Sequence, residues 1–240
     1  MNSTLSQQLD LTTKTVGQLV VERPGRARIF EKHGIDYCCG GKIPLTQACE
    51  KKGVNLDTIV RELSATDDTR SEIDLAHASL TALADHIEST HHAYLRHELP
   101  RLETLARKVA AVHGEERPEL VALRDEFLHF KQDMESHALK EERILFPAIR
   151  ALDQGLANCG PCGSIQHPIR VMVAEHDDAG SSLARMRQLT DNFTLPPTAC
   201  DSYRALFAGL EELEQDTHRH VHKENEALFP RAIAKEAEAR

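Results

Sequence analysis

The stretch HALKEERILFP, residues 137–147, recurs as HVHKENEALFP at residues 220–230. The two copies share the pattern H-x-x-K-E-x-x-x-L-F-P and lie 83 residues apart, which indicates an internal duplication. A His and a Glu four residues apart lie on the same side of a helix, one turn from each other. What the repeat does therefore depends on whether that side faces the core or the solvent.

Apolar residues lead into each copy at steps of three and four residues, the spacing of a single helical face. In the first copy this face comprises Leu120, Leu123, Phe127, Phe130, Met134, Leu145 and Ala148. In the second copy it comprises Tyr203, Leu206, Leu210, Leu213, Thr217 and Leu228. The same spacing places His137 with Glu141, and His220 with Glu224, on the buried faces.

Four long helical patterns cover the chain after residue 73, at about 74–112, 118–151, 168–191 and 198–236. Gly, Pro and Asn separate them, Pro100 is expected to kink the first, and almost nothing indicates a strand. The fold class is therefore predicted to be all-α, with an up-down four-helix bundle over residues 73–240. Residues 1–66 contain short helical pieces broken by Pro and Gly, which predict a small helical domain joined to the bundle by a polar linker.

Two further histidines, 84 residues apart, fall on the apolar faces of the first and third helices. Counting from the turn at Gly114 places His92 and His137 at a similar height in the bundle. The six candidate metal ligands are thus His92, His137, Glu141, His176, His220 and Glu224.

A carboxylate buried in an apolar core is costly unless it is paired or bound to a metal. Mixed imidazole and carboxylate ligands with open positions suit iron or manganese, whereas structural zinc prefers a closed tetrahedron. We expect two iron ions bridged by the two Glu, with two terminal His each and room for an oxo bridge, water or a diatomic ligand. Solvated His and Glu are the alternative, but two copies on core faces argue against it.

His222 and Glu226 form another His-x-x-x-Glu pair, but they lie about 200° around the helix from the apolar face. We therefore expect this pair to face solvent. The same expectation covers five other histidines: His91, His97, His113, His129 and His218.

The composition narrows the classes of function. The chain has 240 residues and a formal net charge of −9, and it lacks Trp. A strongly acidic chain with few aromatic residues is a poor nucleic-acid binder. The sequence shows neither a secretory signal nor an apolar run long enough to span a membrane, so a cytoplasmic protein is expected. The oligomeric state stays open, with a homodimer among the options.

Cys38 and Cys39 are adjacent, and neighbouring Cα atoms are about 3.8 Å apart, closer than disulfides usually require. A dithiol that binds iron transiently or is oxidised reversibly is one interpretation, and two ordinary buried Cys are the other. Gly40 and Gly41 are expected to leave this backbone mobile and the thiols accessible.

The other four cysteines carry weaker signals. Cys159 and Cys162 form a Cys-Gly-Pro-Cys loop without the βαβ context of a thioredoxin, so a redox pair, a metal clip and an unimportant loop all stay open. Cys49 and Cys200 are expected to be structural.

The duplicated His-x-x-x-Glu bundle resembles the hemerythrin-like metal-binding domain. The segment GIDYCCGGK, residues 34–42, is similar to the signature of the small domain that precedes this bundle in the "repair of iron centres" family of iron-sulfur cluster repair di-iron proteins. Together the two similarities cover nearly the whole chain. The resemblance implies that the iron ligands are the six residues named above.

The resemblance also implies a role in restoring iron-sulfur clusters damaged by oxidative or nitrosative stress, by supplying iron or removing NO. Damaged iron-sulfur proteins would be the partners, with Cys38 and Cys39 as transfer thiols. Some relatives are instead NO-binding proteins linked to denitrification, so NO binding or O₂ sensing is the alternative. A pure O₂ carrier is disfavoured because hemerythrins typically use five His, and a ferritin-like oxidase because its sites usually carry Glu-x-x-His. Whether the chain is an enzyme stays open.

Overall fold

The computed structural model describes residues 11–65, 73–156 and 164–239. Most of the predicted linker and the Cys159–Cys162 loop lie outside these residues. Within them the chain is helical, and its sole β-type pairing is an isolated bridge between Thr15 and Pro44. The all-α prediction is confirmed.

The N-terminal region contains helix α1, Val16–Glu22, and a 3₁₀ turn, Pro24–Arg26, that leads into α2, Ala27–Lys32. Helices α3, Leu45–Lys52, and α4, Leu56–Ser64, follow. Side-chain oxygens of Thr15 and Asn55 cap α1 and α4, as their residue types favour. Apolar side chains of all four helices form one core, which contains Leu19, Phe30, Leu45 and Ile59.

Four long helices, α5 to α8, form the bundle. Helix α5 spans residues 80–113, α6 spans 119–153, α7 is Gln166–Leu189 and α8 spans 201–238. Three of them contain a π-helical turn: Glu88–His92 in α5, Glu141–Leu145 in α6 and Glu224–Leu228 in α8. Helix α5 starts about six residues later than predicted, where the Ser79 side chain caps it. It continues through Pro100.

The duplication extends to the ends of the bundle helices. Asp153, near the end of α6, accepts a hydrogen bond from the backbone N–H of Thr81 at the start of α5. At the equivalent place in the second copy, Glu236 accepts from the N–H of Ile165 at the start of α7. In each helix pair, an acidic residue near the end of the second helix therefore accepts a hydrogen bond from an N–H group at the start of the first helix. Such N–H groups have no partner within their own helix.

The bundle core consists of two apolar clusters. One contains Leu99, Phe127 and Leu210, and the other contains Leu83, Phe146 and Phe229. The candidate ligands lie between the two clusters, so they are shielded from solvent at both ends. Within the residues that the structure describes, no helix is long and apolar enough to cross a membrane.

The N-terminal region packs against the outer faces of α7 and α8. The backbone carbonyl of Tyr37 lies 3.1 Å from His222 Nδ1, and the Tyr37 ring meets the His222 ring edge-on. A Cβ atom at Gly17 would lie 2.6 Å from Cδ of Glu226, so this side chain would have to shift to admit any larger residue. Helical periodicity alone predicts that this face of α8 is exposed, because it does not show the contact with the N-terminal region.

Several predicted surface histidines are in fact covered. His222 is only 2% exposed because the N-terminal region covers that side of α8, and its neighbour on the same face, His218, is half-buried for the same reason. His91 is buried between α5 and α8, and His113 is half-buried. His97 and His129 are exposed, as predicted.

Candidate metal centre

The six predicted ligands meet in one layer of the bundle. Helices α5 and α7 contribute one imidazole each, His92 and His176, whereas α6 and α8 contribute a His and a Glu each. All six side chains are buried. They form two groups of four whose nitrogen and oxygen atoms lie within 4.8 Å of one another: His92, Glu141, His220 and Glu224, and His137, Glu141, His176 and Glu224.

Both carboxylates belong to both groups. Glu141 Oε2 lies 3.2 Å from His92 Nε2, 3.4 Å from His137 Nε2 and 3.9 Å from His220 Nε2. Glu224 lies 3.0 Å from His176 Nε2 and 3.1 Å from His220 Nε2. Two neighbouring positions that share two carboxylates are the geometry in which a carboxylate can bridge a pair of metal ions.

The charges of the two carboxylates depend on the surrounding imidazoles. Burial and the neighbouring Glu224 act to raise the pKa of Glu141, but His137 and His92 overcome them and hold it below its usual value. Burial also acts against ionised Glu224, yet His220 and His176 hold its pKa well below the usual value. In return, although burial disfavours its charged form, Glu141, Glu175 and Glu224 raise the pKa of His137 to about 10. The site thus keeps two anions that need positive charge around them.

The residues fit a bound cation. Both carboxylate oxygens of Glu141, one oxygen of Glu224 and Nε2 of His92 are buried and make no hydrogen bond with any described residue. Buried polar atoms are rarely left without a partner, and such a concentration needs an explanation. Bound metal ions would use these atoms as ligands and replace the protons on the imidazoles.

Outer partners orient three of the four imidazoles. Nδ1 of His92 lies 2.9 Å from Glu142, Nδ1 of His137 lies 2.9 Å from Glu175, and Nδ1 of His176 lies 3.0 Å from Asn225. Such contacts leave Nε2 facing the centre and strengthen it as a ligand. Sequence reasoning missed these partners, although Glu142 and Asn225 hold the same place in the two copies.

The Phe residue in the Leu-Phe-Pro end of each repeat packs against a candidate ligand. Phe146 stacks on the His92 ring at 5.7 Å between ring centroids, and Phe229 stacks on His176 at 5.9 Å. The π turns that begin at Glu141 and Glu224 precede these aromatic residues directly. π turns often occur at functional sites.

His91 is part of a polar cluster that sequence reasoning placed on the surface. Its Nδ1 lies 2.9 Å from Asp216, and its Nε2 lies 2.7 Å from the Lys223 ammonium group. Burial lowers the pKa of His91 to about 4, despite the opposing effect of Asp216. A neutral His91 ring stacks on the candidate ligand His220 at 5.3 Å, with an angle of 3° between the planes.

The cysteine pair lies close to this centre. Cys39 Sγ is 3.5 Å from the backbone carbonyl of His176, so the thiols lie against the helix that carries a candidate ligand. The Asp36 carboxylate accepts hydrogen bonds from the N–H groups of Cys38, Cys39 and Gly40. The backbone of this motif is therefore held in place, contrary to the expectation of a mobile loop.

The two thiols also differ in access, which corrects the expectation that both are accessible. Cys38 is buried, and Cys39 is half-buried. The contact with Cys39, burial and Asp36 raise the pKa of Cys38 well above its usual value, so it stays a thiol at neutral pH. The motif borders a cleft of about 1130 Å³ between the N-terminal region and helices α7 and α8.

Cys49 and Cys200 were both expected to be structural. Cys49 is buried in the N-terminal core, in agreement. Cys200 is instead exposed at the start of α8, with its Sγ 3.4 Å from His113 Nε2, because the helix begins one residue later.

A four-helix bundle with this cluster of inward His and Glu defines a hemerythrin-like cation-binding protein. The model of the hemerythrin HHE cation binding domain matches residues 83–232, and a domain of unknown function, DUF542, matches residues 12–67. The chain is 38% identical to the iron-sulfur cluster repair protein YtfE of Cronobacter sakazakii over 223 residues, covering 92% of this chain and 96% of the relative. It is 37% identical to YtfE of Escherichia coli O1:K1 / APEC, with 92% and 97% covered.

A probable iron-sulfur cluster repair protein of Haemophilus influenzae is 34% identical over 228 residues, which cover 94% of this chain and 99% of the relative. These similarities extend over both regions of the chain and reach nearly the full length of each relative. The chain therefore belongs to the family of iron-sulfur cluster repair proteins, as the resemblance in its sequence implied.

Proposed function

We propose that this protein binds two iron ions and helps to repair iron-sulfur clusters damaged by oxidative or nitrosative stress. One observation carries the proposal: two groups of buried ligands share Glu141 and Glu224 at the centre of the bundle. Membership of a family whose relatives are named iron-sulfur cluster repair proteins supports the function.

Each side chain has a distinct part in the proposed centre. His92 and His220 would hold one ion and His137 and His176 the other, with the carboxylates of Glu141 and Glu224 within reach of both. Mixed imidazole and carboxylate ligands with open positions suit iron or manganese better than a structural zinc, and the family relation supports iron. When bound, the pair of ions would supply open coordination positions for diatomic ligands such as NO or O₂, and iron for delivery.

Cys38 and Cys39 are proposed to act in transfer. A thiolate is a soft ligand that can take up iron or a nitrosyl group and release it again. Cys39 is the more accessible of the two, and it lies beside the backbone of α7 at His176. Cys39 is therefore proposed to make the first contact with a ligand in the cleft, and Cys38 to assist it. Damaged iron-sulfur proteins are the proposed partners.

The test uses the full chain loaded with iron. We expect about two irons per chain and recovery of activity when the loaded protein is incubated with an iron-sulfur enzyme inactivated by NO or peroxide. Replacing Cys38 and Cys39 by Ser should leave the iron content unchanged and lower the recovery, because the bundle supplies six ligands of its own. The matched control is Cys200→Ser, which changes an exposed thiol at the start of α8, and this variant should behave as the parent protein.

The outcomes separate the alternatives. Full recovery with the double Ser variant would contradict the transfer role of the thiols. Loss of iron from that variant would mean that the cysteine pair helps to build the centre. Tight NO binding without any recovery of the damaged enzyme would favour the NO-binding alternative.

A further inference from the structure

The two copies of the repeat differ at one position next to the centre. Glu175 precedes His176 in α7, and the residue at the same place in α5 is His91. Glu175 approaches His137 Nδ1 and also bonds the Lys140 ammonium group. His91 makes no hydrogen bond with a candidate ligand nitrogen. Its ring instead lies flat against His220, and its nitrogens are engaged by Asp216 and Lys223.

The outer nitrogens of the imidazoles show the consequence of this difference. In the pair His137 and His176, both Nδ1 atoms have an oxygen partner, Glu175 and Asn225. In the pair His92 and His220, only His92 has one, Glu142. Nδ1 of His220 is buried and makes no hydrogen bond to any residue in the described ranges.

An oxygen acceptor on Nδ1 fixes the ring orientation and makes the opposite nitrogen a stronger ligand. Removing such a partner typically costs about 10–100-fold in metal affinity. Because both positions share Glu141 and Glu224, the imidazoles and their partners are what distinguishes them. Among the described residues, His220 is the one imidazole of the four whose Nδ1 makes no hydrogen bond, and the His91 ring stacks on it instead.

We infer that the two metal positions are unequal, and that the position held by His92 and His220 releases its ion first because His91 occupies the place of an anchoring carboxylate. The inference rests on the proposed di-iron centre and names the ion available for delivery. His91 is then a positioning residue whose effect on the metal acts through His220.

The test is a chelator challenge of the full iron-loaded chain, followed by absorbance of the iron–chelator complex over time. We expect two phases of similar amplitude, with rates about 10-fold or more apart. His91→Glu should slow the fast phase about 10-fold, because a carboxylate there can reach Nδ1 of His220 as Glu175 reaches His137. Asn225→Leu, a change of similar volume, should speed the slow phase, because His176 then loses its partner as well.

The outcomes distinguish this inference from the proposed function. A chain that binds no iron contradicts the di-iron proposal and the inference together. A chain that binds two irons and releases both in a single phase contradicts the inference alone. It is also overturned if His91→Glu retains two irons and leaves the fast phase unchanged, or if Asn225→Leu accelerates only the fast phase.

Discussion

The two halves of the bundle, α5 with α6 and α7 with α8, share the arrangement of their candidate ligands and differ most on their outer faces. Their ligands, stacked Phe rings and helix-capping acids correspond through the repeat. On the outer face the correspondence ends: Leu139 in α6 is 42% exposed, whereas its counterpart His222 in α8 is 2% exposed. Among the described residues, the N-terminal region covers this position in the second half and leaves its counterpart in the first half exposed. The buried ligand layer can thus be the same in both halves while the outer face of one half forms an interface with the N-terminal region.

A second pair of equivalent outer positions shows the same difference between the two halves. Arg143 in α6 is exposed, but its counterpart Glu226 in α8 is half-buried against Gly17 of the N-terminal region. Burial raises the pKa of the Glu226 carboxyl group, with Lys42 acting in the opposite direction. The ligand layer lies deeper and has the same residue types in both halves, because all six side chains must converge on the same centre.

The largest expected effect concerns the two shared carboxylates. Glu141→Ala and Glu224→Ala should each remove at least one metal ion, because each glutamate serves both positions and its loss leaves buried imidazoles uncompensated. Metal analysis of the purified variants, with circular dichroism to verify helicity, measures this directly.

If the interiors of the two halves are equivalent, both variants should lose similar amounts of metal. Glu211→Ala, on the exposed face of α8, is the control and should retain the full content. Retention of both ions by Glu141→Ala and by Glu224→Ala would disprove the assignment of the site.

An intermediate effect is expected where the exteriors differ. His222→Ala should destabilise the protein by about 1–3 kcal/mol, because it opens a buried space and leaves the Tyr37 carbonyl without its partner. Leu139→Ala, the equivalent change in the first half, should stay within about 0.5 kcal/mol of the parent protein. Urea unfolding gives both values.

Amide hydrogen exchange locates the same effect in the chain. His222→Ala should reduce the protection of the amide groups of residues 36–41, because this segment contacts α8 through Tyr37. Equal effects of His222→Ala and Leu139→Ala would show that the N-terminal region does not stabilise the second half selectively.

The smallest effect concerns the acid that caps α5. Burial acts to raise the pKa of Asp153, but Lys235 and the Thr81 N–H overcome it and lower the pKa to about 2. The folded pKa lies below the ordinary value of 3.8, so the stabilisation is present above pH 4 and is lost as the pH falls towards 2. Asp153→Asn should therefore cost about 1 kcal/mol at pH 7, after allowance for solvent screening.

Urea unfolding of Asp153→Asn at pH 7 and near pH 2.5 checks this sign. The difference from the parent protein should shrink at the lower pH, because the pH then lies below the ordinary pKa of 3.8 and approaches the folded pKa of about 2: the unfolded carboxyl group is protonated and the folded one begins to be. A difference that grows on acidification would contradict the ion pair with Lys235 as its cause. Glu236→Gln tests whether the equivalent cap of α7 contributes a comparable amount.

Helical periodicity was sufficient to predict the fold class and to bring the six candidate ligands onto inward faces. Periodicity predicts to which side of its own helix a side chain points, and the side chains that point inward form the bundle core. The same reasoning failed for His91 and His222. Their direction was described correctly as away from the main apolar stripe, but α8 covers one and the N-terminal region covers the other.

The cysteine motif shows the same limit of sequence reasoning, here among residues that are close in the chain. The sequence identifies Cys38 and Cys39 as an unusual pair, but the effect of Asp36 on their backbone depends on a turn that no periodicity predicts. The glycines suggested mobility, whereas a Cβ atom at Gly41 would lie 2.3 Å from the Tyr37 carbonyl oxygen. Glycine is required there by close contact.

The sequence by itself determined the duplication, the all-α class and the six inward His and Glu residues, because each follows from residue types repeated at the period of a helix. Only the tertiary structure decided which outer face is covered, where the thiols lie and which imidazole lacks an oxygen partner. These features depend on contacts between residues far apart in the chain, such as Tyr37 with His222. Such contacts form only when separate helices pack together, and no local pattern encodes them.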